Sequence, residues 1–244
     1  MTPIQQVGEI LVKRDDLFSV HGATGGKART CYHLATQRTT EGLITAGSRH
    51  SPQVKLVAYI AAGLHIKCRA HVPAGDLTEE LKQARVMGAE LIAHRPGYNS
   101  VIVARARKDA EERGWIEIPF GMECGEAVEQ TALQVESLIP YRDRIKRIVA
   151  PVGSGMSFSG IVNGLIQNDL HIPLVGIQVG ADPQKRLDYY CPPFSTYLLF
   201  KSVNKYGERK HGQTLGAIKL DPYYEAKCLP FLQAGDLFWI VGHR

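Results

Sequence analysis

No stretch of the 244 residues approaches the roughly 20 consecutive apolar side chains that a membrane-spanning helix requires. The first residues, Met1-Thr-Pro-Ile-Gln-Gln, lack the basic-then-apolar pattern of a secretion signal. Cysteine is sparse: Cys31, Cys68, Cys124, Cys191 and Cys228 are scattered, with no CxxC and no paired histidine spacing. That pattern speaks against a disulfide frame and a metal site, and fits reduced thiols in a cytoplasmic protein. No large excess of either charge is present. The net charge of +5 is compatible with anionic ligands or nucleic acid and diagnostic of neither. Repeats and low-complexity tracts are missing, while 44% hydrophobic and 22% charged residues are ordinary for a globular chain.

What is present is a regular alternation. Short apolar runs at Glu9–Lys13, Gly42–Ala46, Lys67–Val72, Glu90–Ala93, Arg147–Val152, Leu174–Val179 and Asp236–Val241 predict strands. Between them, helical spacing is predicted over 27–36, 51–62, 78–87, 99–113, 125–137 and 157–167, and again over 224–232. Ser51-Pro52 is a helix-start signal, and Gly63 and Gly88 are stops. Residues 182–216 are less regular. Strand–helix alternation implies crossover connections and largely parallel sheets, so the expected fold class is α/β.

Two glycine-rich segments carry the chemistry. Gly22-Ala-Thr-Gly-Gly-Lys27 places a lysine on a loop leading into a helix; Gly153-Ser-Gly-Met-Ser157 follows the strand Ile148–Val152 and opens another helix. A turn of the second kind aims backbone N–H groups and the positive end of a helix dipole at one point, which suits a phosphate. A lysine beside such a cradle is what an enzyme needs to hold a phosphorylated aldehyde as a Schiff base, which points to pyridoxal 5'-phosphate. Each feature has a plainer reading: Lys27 as a solvated residue at a helix start, the 153–157 loop as a tight turn, Ser48 and His50 as caps of the helix at Pro52. Tyr224 and Glu225 open a predicted helix, where Glu favours the dipole anyway. Cys124 reads as a small buried residue.

Six segments in order then resemble the fold type II pyridoxal-phosphate enzymes, in the branch of aminocyclopropane-carboxylate deaminase and D-cysteine desulfhydrase, with tryptophan synthase β as a more distant member. They are Val12-Lys-Arg-Asp-Asp-Leu-Phe18, Gly25-Gly-Lys-Ala-Arg29, Ser48-Arg-His-Ser51, Ile118-Pro-Phe-Gly-Met-Glu-Cys-Gly-Glu126, Gly153-Ser-Gly-Met-Ser157 and Leu220-Asp-Pro-Tyr-Tyr-Glu-Ala-Lys227. The resemblance implies two three-layer α/β/α domains with the cofactor cleft between them: residues 1–40 with 145–244, and a smaller mobile domain over 41–144. It implies that Lys27 forms the Schiff base and that Gly153, Ser154, Gly155, Met156 and Ser157 bind the phosphate. Glu225 would face the pyridine nitrogen, Tyr224 the substrate, and Arg49 the cofactor's phenolic oxygen. Ser48, His50 and Ser51 would grip the substrate carboxylate, with Ser48 and Tyr224 counted as catalytic beside Lys27. A homodimer is the family's usual assembly.

The chain departs from the pattern at Gly26, Arg49 and Met156, and it is shorter than typical members between the phosphate loop and the C-terminus. The expected activity is a lyase or deaminase reaction of amino-acid metabolism, breaking a bond at or next to Cα of an amino acid. One alternative keeps the cofactor and changes the substrate: an amino-acid group on a larger anionic molecule, such as a modified DNA base, undergoing decarboxylation or elimination. The basic run Lys201–His211, with Tyr206 inside it, motivates that reading. A further alternative is a pyridoxal-phosphate-binding protein without turnover.

Overall fold

The computed structural model describes residues 1–95, 97–205 and 207–242. Tyr206, the aromatic residue of the basic run, lies outside them. Along the chain the strands and helices are β1 (Ile4–Val7), β2 (Ile10–Arg14), β3 (Ser19–Val20), β4 (Ala23–Thr24), α1 (Gly26–Thr36), β5 (Gly42–Ala46), α2 (Pro52–Gly63), β6 (Lys67–Pro73), α3 (Glu79–Val86), β7 (Ala89–His94), α4 (Asn99–Arg113) and β8 (Ile116–Ile118). There follow α5 (Gly125–Val135), β9 (Arg147–Val152), α6 (Met156–Gln167), β10 (Leu174–Gln178), α7 (Gln184–Tyr190), β11 (Leu198–Lys201), β12 (Thr214–Leu215), β13 (Ile218–Lys219) and β14 (Asp236–Ile240).

The chain divides into two compact units, Met1–Phe18 with Cys124–Arg244, and Ser19–Glu123. These bounds differ from the division at 40 and 145 expected from the sequence. Helix α1 packs on α2 and so groups with the middle of the chain, whereas α5 packs on α6 and groups with the outer parts.

In the first unit a six-stranded sheet runs β1-β2-β14-β9-β10-β11, parallel throughout except for the antiparallel β1–β2 pair. Alternation along each strand sends side chains to two separate cores. Leu237 and Trp239 of β14, with Ile148, Ala150 and Val152 of β9, join Phe158, Ile161 and Leu165 of α6 on one face. Phe238, Ile240, Val149, Val175 and Ile177 point the other way, onto Ile218, Leu220, Ala226 and Cys228. That second face is covered by the β12–β13 hairpin and by 3₁₀ turns at Glu225–Lys227 and Leu229–Phe231. The helix predicted over 224–232 is therefore replaced by two single turns. Pro230, which has no N–H and falls inside that stretch, cannot sit within an α-helix, although it suits the start of the second turn.

The Lys13-Arg14-Asp15-Asp16 run has a structural task here. Lys13 is 0% exposed, and its Nζ donates to the Thr2 carbonyl at 2.6 Å and to Ser137 Oγ at 2.9 Å. The Thr2 hydroxyl donates to Asp15 Oδ1 at 2.9 Å, and Arg14 pairs with Asp16 at 2.7 Å. A buried ammonium is tolerable only with such partners. They stitch the first residues of the chain to α5 and to the 3₁₀ segment after it.

In the second unit the sheet runs β7-β6-β5-β8, all parallel. Helices α2 and α3 pack together, and Ile102, Ala106 and Ala110 of α4 form a separate core with Ile44, Ala46 and Trp115. Among the described residues no helix is long and apolar enough to cross a membrane.

Helices α5 and α6 meet at very close range through Gly160 and Gly164. A Cβ at Gly164 would lie 2.6 Å from the Ala132 carbonyl oxygen, and one at Gly160 would lie 2.7 Å from that of Val128. Alanine gains about 1 kcal/mol over glycine in a helix interior, whereas overpacking a core costs about 1–3 kcal/mol. Gly164→Ala should therefore be destabilising on balance, seen as a lower urea midpoint with an unchanged slope. An unchanged or higher midpoint would show that the helices can separate without loss.

Candidate functional site

In the first unit, β9 ends at Val152 and α6 begins at Met156. The parallel sheet demands such a turn, because a helix must return the chain to the other end. Gly155 caps α6 with φ 95° and ψ −15°, a left-handed conformation that glycine adopts without strain. The twelve-residue helix directs its unpaired first N–H groups back toward the 153–155 loop. Met156, the departure from a glycine-rich pattern, occupies the first helical position and is buried.

Tyr224 stands directly over this loop, for a Cβ on Gly153 would lie 2.7 Å from its ring. The preceding turn is held by buried Asp221, whose Oδ1 accepts the backbone N–H groups of Tyr223 at 2.8 Å and Tyr224 at 3.1 Å. Glu225 comes next and is 0% exposed. Its Oε1 accepts from the Val241 N–H at 3.0 Å and the Gly242 N–H at 3.4 Å, just past the end of β14. Its Oε2 is buried with no hydrogen-bond partner among the described residues. Burial, reinforced by Asp221, pushes the Glu225 carboxyl up from 4.5 to about 8. The first unit thus brings together Gly153–Ser157, Tyr224 and Glu225.

The second unit carries the remaining sequence-predicted residues. Gly25 caps α1 with φ 86° and ψ 176°, a region open essentially to glycine alone. It sets the exposed Lys27 on the first turn of α1, between the β3–β4 hairpin and buried Ala28, Arg29 and Thr30. The Ser48–Ser51 turn follows β5. Ser51 is the cap of α2, its Oγ accepting the Gln53 N–H at 3.3 Å, and its own N–H donates to the Ser48 carbonyl at 3.0 Å. The capping expected of Ser48 and His50 thus falls to Ser51, the residue directly before Pro52. His50 is exposed. Arg49 Nη1 donates to the Asp76 carbonyl at 3.3 Å, and the Thr78 hydroxyl donates to the Arg49 carbonyl. Its guanidinium is thereby tied to the segment before α3.

Gln53 was not among the residues singled out from the sequence. Buried in α2, it donates to Thr45 Oγ1 at 3.0 Å and to the Pro119 carbonyl at 2.8 Å, and accepts the Gly121 N–H at 2.8 Å. It locks the start of α2 to the Ile118–Met122 segment, which carries two successive positive-φ residues, Gly121 and Met122. The available signal was an amide beside the apolar face of Val54, Leu56 and Val57.

The basic run is pinned to the Tyr223–Tyr224 turn. The Arg209 guanidinium lies 4.9 Å from the Tyr223 ring centre, the Lys210 N–H donates to the Pro222 carbonyl at 3.0 Å, and buried Lys227 donates to the Lys205 carbonyl at 2.8 Å.

Comparison with known proteins extends these observations. The chain is 25% identical over 212 residues to a putative 1-aminocyclopropane-1-carboxylate deaminase of Thermotoga maritima, covering 82% of this chain and 66% of that protein. It is 25% identical over 216 residues to the 1-aminocyclopropane-1-carboxylate deaminase of Pseudomonas syringae pv. syringae, covering 76% and 63%. It therefore spans less than two thirds of the length of either relative. The fold matches the crystal structure of an ACC deaminase homologue with a TM-score of 0.83 at 22% identity, covering 99% of this chain and 89% of the other. A threonine deaminase from T.th. matches with a TM-score of 0.73 at 17% identity, covering 99% and 92%. The family model described as pyridoxal-phosphate dependent enzyme matches residues 2–194, a span that includes Lys27, Ser48–Ser51 and Gly153–Ser157 and ends before Tyr224. The chain belongs to this family of pyridoxal-phosphate-dependent enzymes.

Proposed function

We propose that this protein is a lyase or deaminase that holds pyridoxal phosphate through Lys27 and breaks a bond at or next to Cα of an amino acid. The observation that carries the reading is the unpartnered, buried Oε2 of Glu225 in the same unit as the glycine loop at the start of α6. The pair fits the cofactor. A helix start with free N–H groups suits its phosphate, and a carboxylate starved of a partner suits its ring N–H. When bound, the cofactor supplies a sink for the electron pair left at Cα.

The chain's own residues divide the work. Glu225, with Oε1 already held by two backbone N–H groups, offers Oε2 as a fixed acceptor that favours a protonated ring nitrogen. The 153–157 backbone and the Ser157 hydroxyl hold the phosphate. Lys27 is the amine that would hold the aldehyde group of the cofactor, and its Nζ would be the group that holds and moves a proton beside the substrate. The Ser48–Ser51 turn at the start of α2 orients the substrate carboxylate, with Gln53 keeping that turn in place. Tyr224 faces the substrate above Gly153.

A second substrate class has one observation in its favour, the attachment of the 205–210 segment to the Tyr223–Tyr224 turn. Cationic side chains there suit an amino-acid group borne by a larger anionic molecule, a modified DNA base being the example. Retained duplex DNA binding that weakens steeply with added salt supports that class; no binding at low salt removes it.

Three measurements test the main reading. Purified protein supplied with pyridoxal phosphate should turn yellow, and borohydride should fix the cofactor to the peptide containing Lys27. Lys27→Ala should abolish the fixation, and fixation elsewhere would reassign the anchor. Glu225→Gln should weaken cofactor binding by about tenfold to a hundredfold, the worth of one charged hydrogen bond. The same variant has a pH signature without cofactor. Between about 4.5 and about 8 the fold keeps a proton that the unfolded chain has lost, so stability falls as pH rises through that window. The Gln variant should flatten this fall, and parallel thermal profiles for the two proteins would refute the buried protonated carboxyl.

A further inference from the structure

A second polar cluster, built around buried His71, lies in the Ser19–Glu123 unit, on the face of the sheet that meets α4. Parallel pairing of β6 with β7 sets Arg69 beside Glu90, and His71 and His94 rise from neighbouring strands on the same face as these two. Helix α4 presents Arg105, Asp109 and Arg113, four residues apart and so on one side. His71 Nε2 lies 2.9 Å from Asp109 Oδ2, His71 Nδ1 lies 2.9 Å from His94 Nε2, and His94 Nδ1 lies 2.9 Å from Arg105 Nη1.

The chemistry of the ends dictates the proton on every link. A guanidinium can only donate and an ionised carboxylate can only accept. Asp109 is held ionised. Burial raises its carboxyl, but hydrogen bonds from His71, Arg69 and Arg113 outweigh this and keep it well below the usual range. His71 must then carry its hydrogen on Nε2 and accept at Nδ1. His94 must donate from Nε2 and accept from Arg105 at Nδ1. Four groups satisfy one another in a single direction, with both imidazoles neutral.

One added proton cannot be accommodated. If His94 takes it, Nδ1–H faces the Arg105 N–H. If His71 takes it, His71 Nδ1–H must donate to His94 Nε2, which drives the His94 hydrogen onto Nδ1 with the same result. Either way the junction that fails is His94–Arg105. We propose that the Arg105–His94–His71–Asp109 chain is a proton-sensitive latch, in which uptake of one proton by either imidazole breaks the His94–Arg105 junction and frees the exposed side of α4 from the end of β7.

The surrounding charges fit this sense. Arg69 of β6 donates to Asp109 Oδ2 at 2.8 Å and pairs with Glu90 of β7, and Arg113 of α4 donates to Asp109 Oδ1 at 2.8 Å. These ion pairs anchor the Asp109 end and leave Arg105, which is exposed, as the end that moves. Burial, then His71 and Arg105, hold the His94 imidazole below its usual value, the direction expected of a ring whose protonation loses a partner. By linkage, the latch contributes stability that is complete above the ordinary histidine range and is lost as pH falls through that range to the lowered His94 value beneath it.

The test is a pH titration of the ¹⁵N-labelled full chain, following the ring nitrogens of His71 and His94 and the guanidinium of Arg105. Expected are Nε2–H tautomers for both rings at high pH, and loss of the Arg105 contact over the same pH interval in which the rings take up a proton. In Arg105→Ala the His94 midpoint should rise by about half a unit, roughly a threefold gain in proton affinity. In His94→Ala the Arg105 signal should no longer follow pH. An Arg105 signal that stays constant through the wild-type titration, or a His94 midpoint that Arg105→Ala leaves in place, overturns the latch.

Discussion

Parallel strands cannot be joined by hairpins, and most of this molecule follows from that constraint. In the parallel parts of both sheets each strand must be joined to its neighbour by a crossover, so the chain turns sharply at the carboxyl end of one such strand after another. The candidate residues gather at those turns because backbone groups there are still unpaired and side chains have room to converge. Gly153–Gly155 lies past β9, Ser48–Ser51 past β5, Pro119–Met122 past β8, and the two N–H groups that hold Glu225 lie past β14. Lys27 is the exception, placed by a glycine cap after a small hairpin.

Charge drawn in from the surface is handled in three ways: Lys13 and Glu225 are buried and Asp109 is half-buried. Lys13 is surrounded by oxygens and secures the start of the chain. Asp109 is over-supplied with donors and stays ionised at the centre of a network on α4. Glu225 has one oxygen satisfied and one left over, and burial, with Asp221 beside it, pushes its carboxyl up to about 8. An incompletely satisfied buried carboxyl is costly, and a fold keeps one where a ligand completes it.

The relatives are longer than this chain, and the second face of the first unit's sheet has a thin cover. A hairpin and two 3₁₀ turns lie over it, with the basic segment pinned to them. The same stretch carries Tyr224, Glu225 and the cations at 205–210, so the covering layer and one wall of the candidate site share one length of backbone.

Local patterns determined much of the chain unaided. The apolar period marks the alternating strands and helices, Gly63 and Gly88 mark ends of α2 and α3 to within a residue or two, and Gly25-Gly26-Lys27 and Gly153–Ser157 mark the two loops, because helix periodicity and glycine geometry act within a few residues. The C-terminal stretch from Tyr224 escaped such reading, since its apolar spacing resembles a helix while Pro230 and the Asp221 turn break it into single turns. The roles of Gln53, of Ser51 over Ser48 and His50, and of Asp221 in holding Tyr224 depend on partners brought in by folding. The chain of His71, His94, Arg105 and Asp109 joins an i, i+4 pair on α4 to two histidines on β6 and β7 that no sequence interval relates to it. Only the register of β6 on β7 and the seating of α4 across them bring those atoms within 2.9 Å, because hydrogen bonding is a matter of distance in space and not along the chain.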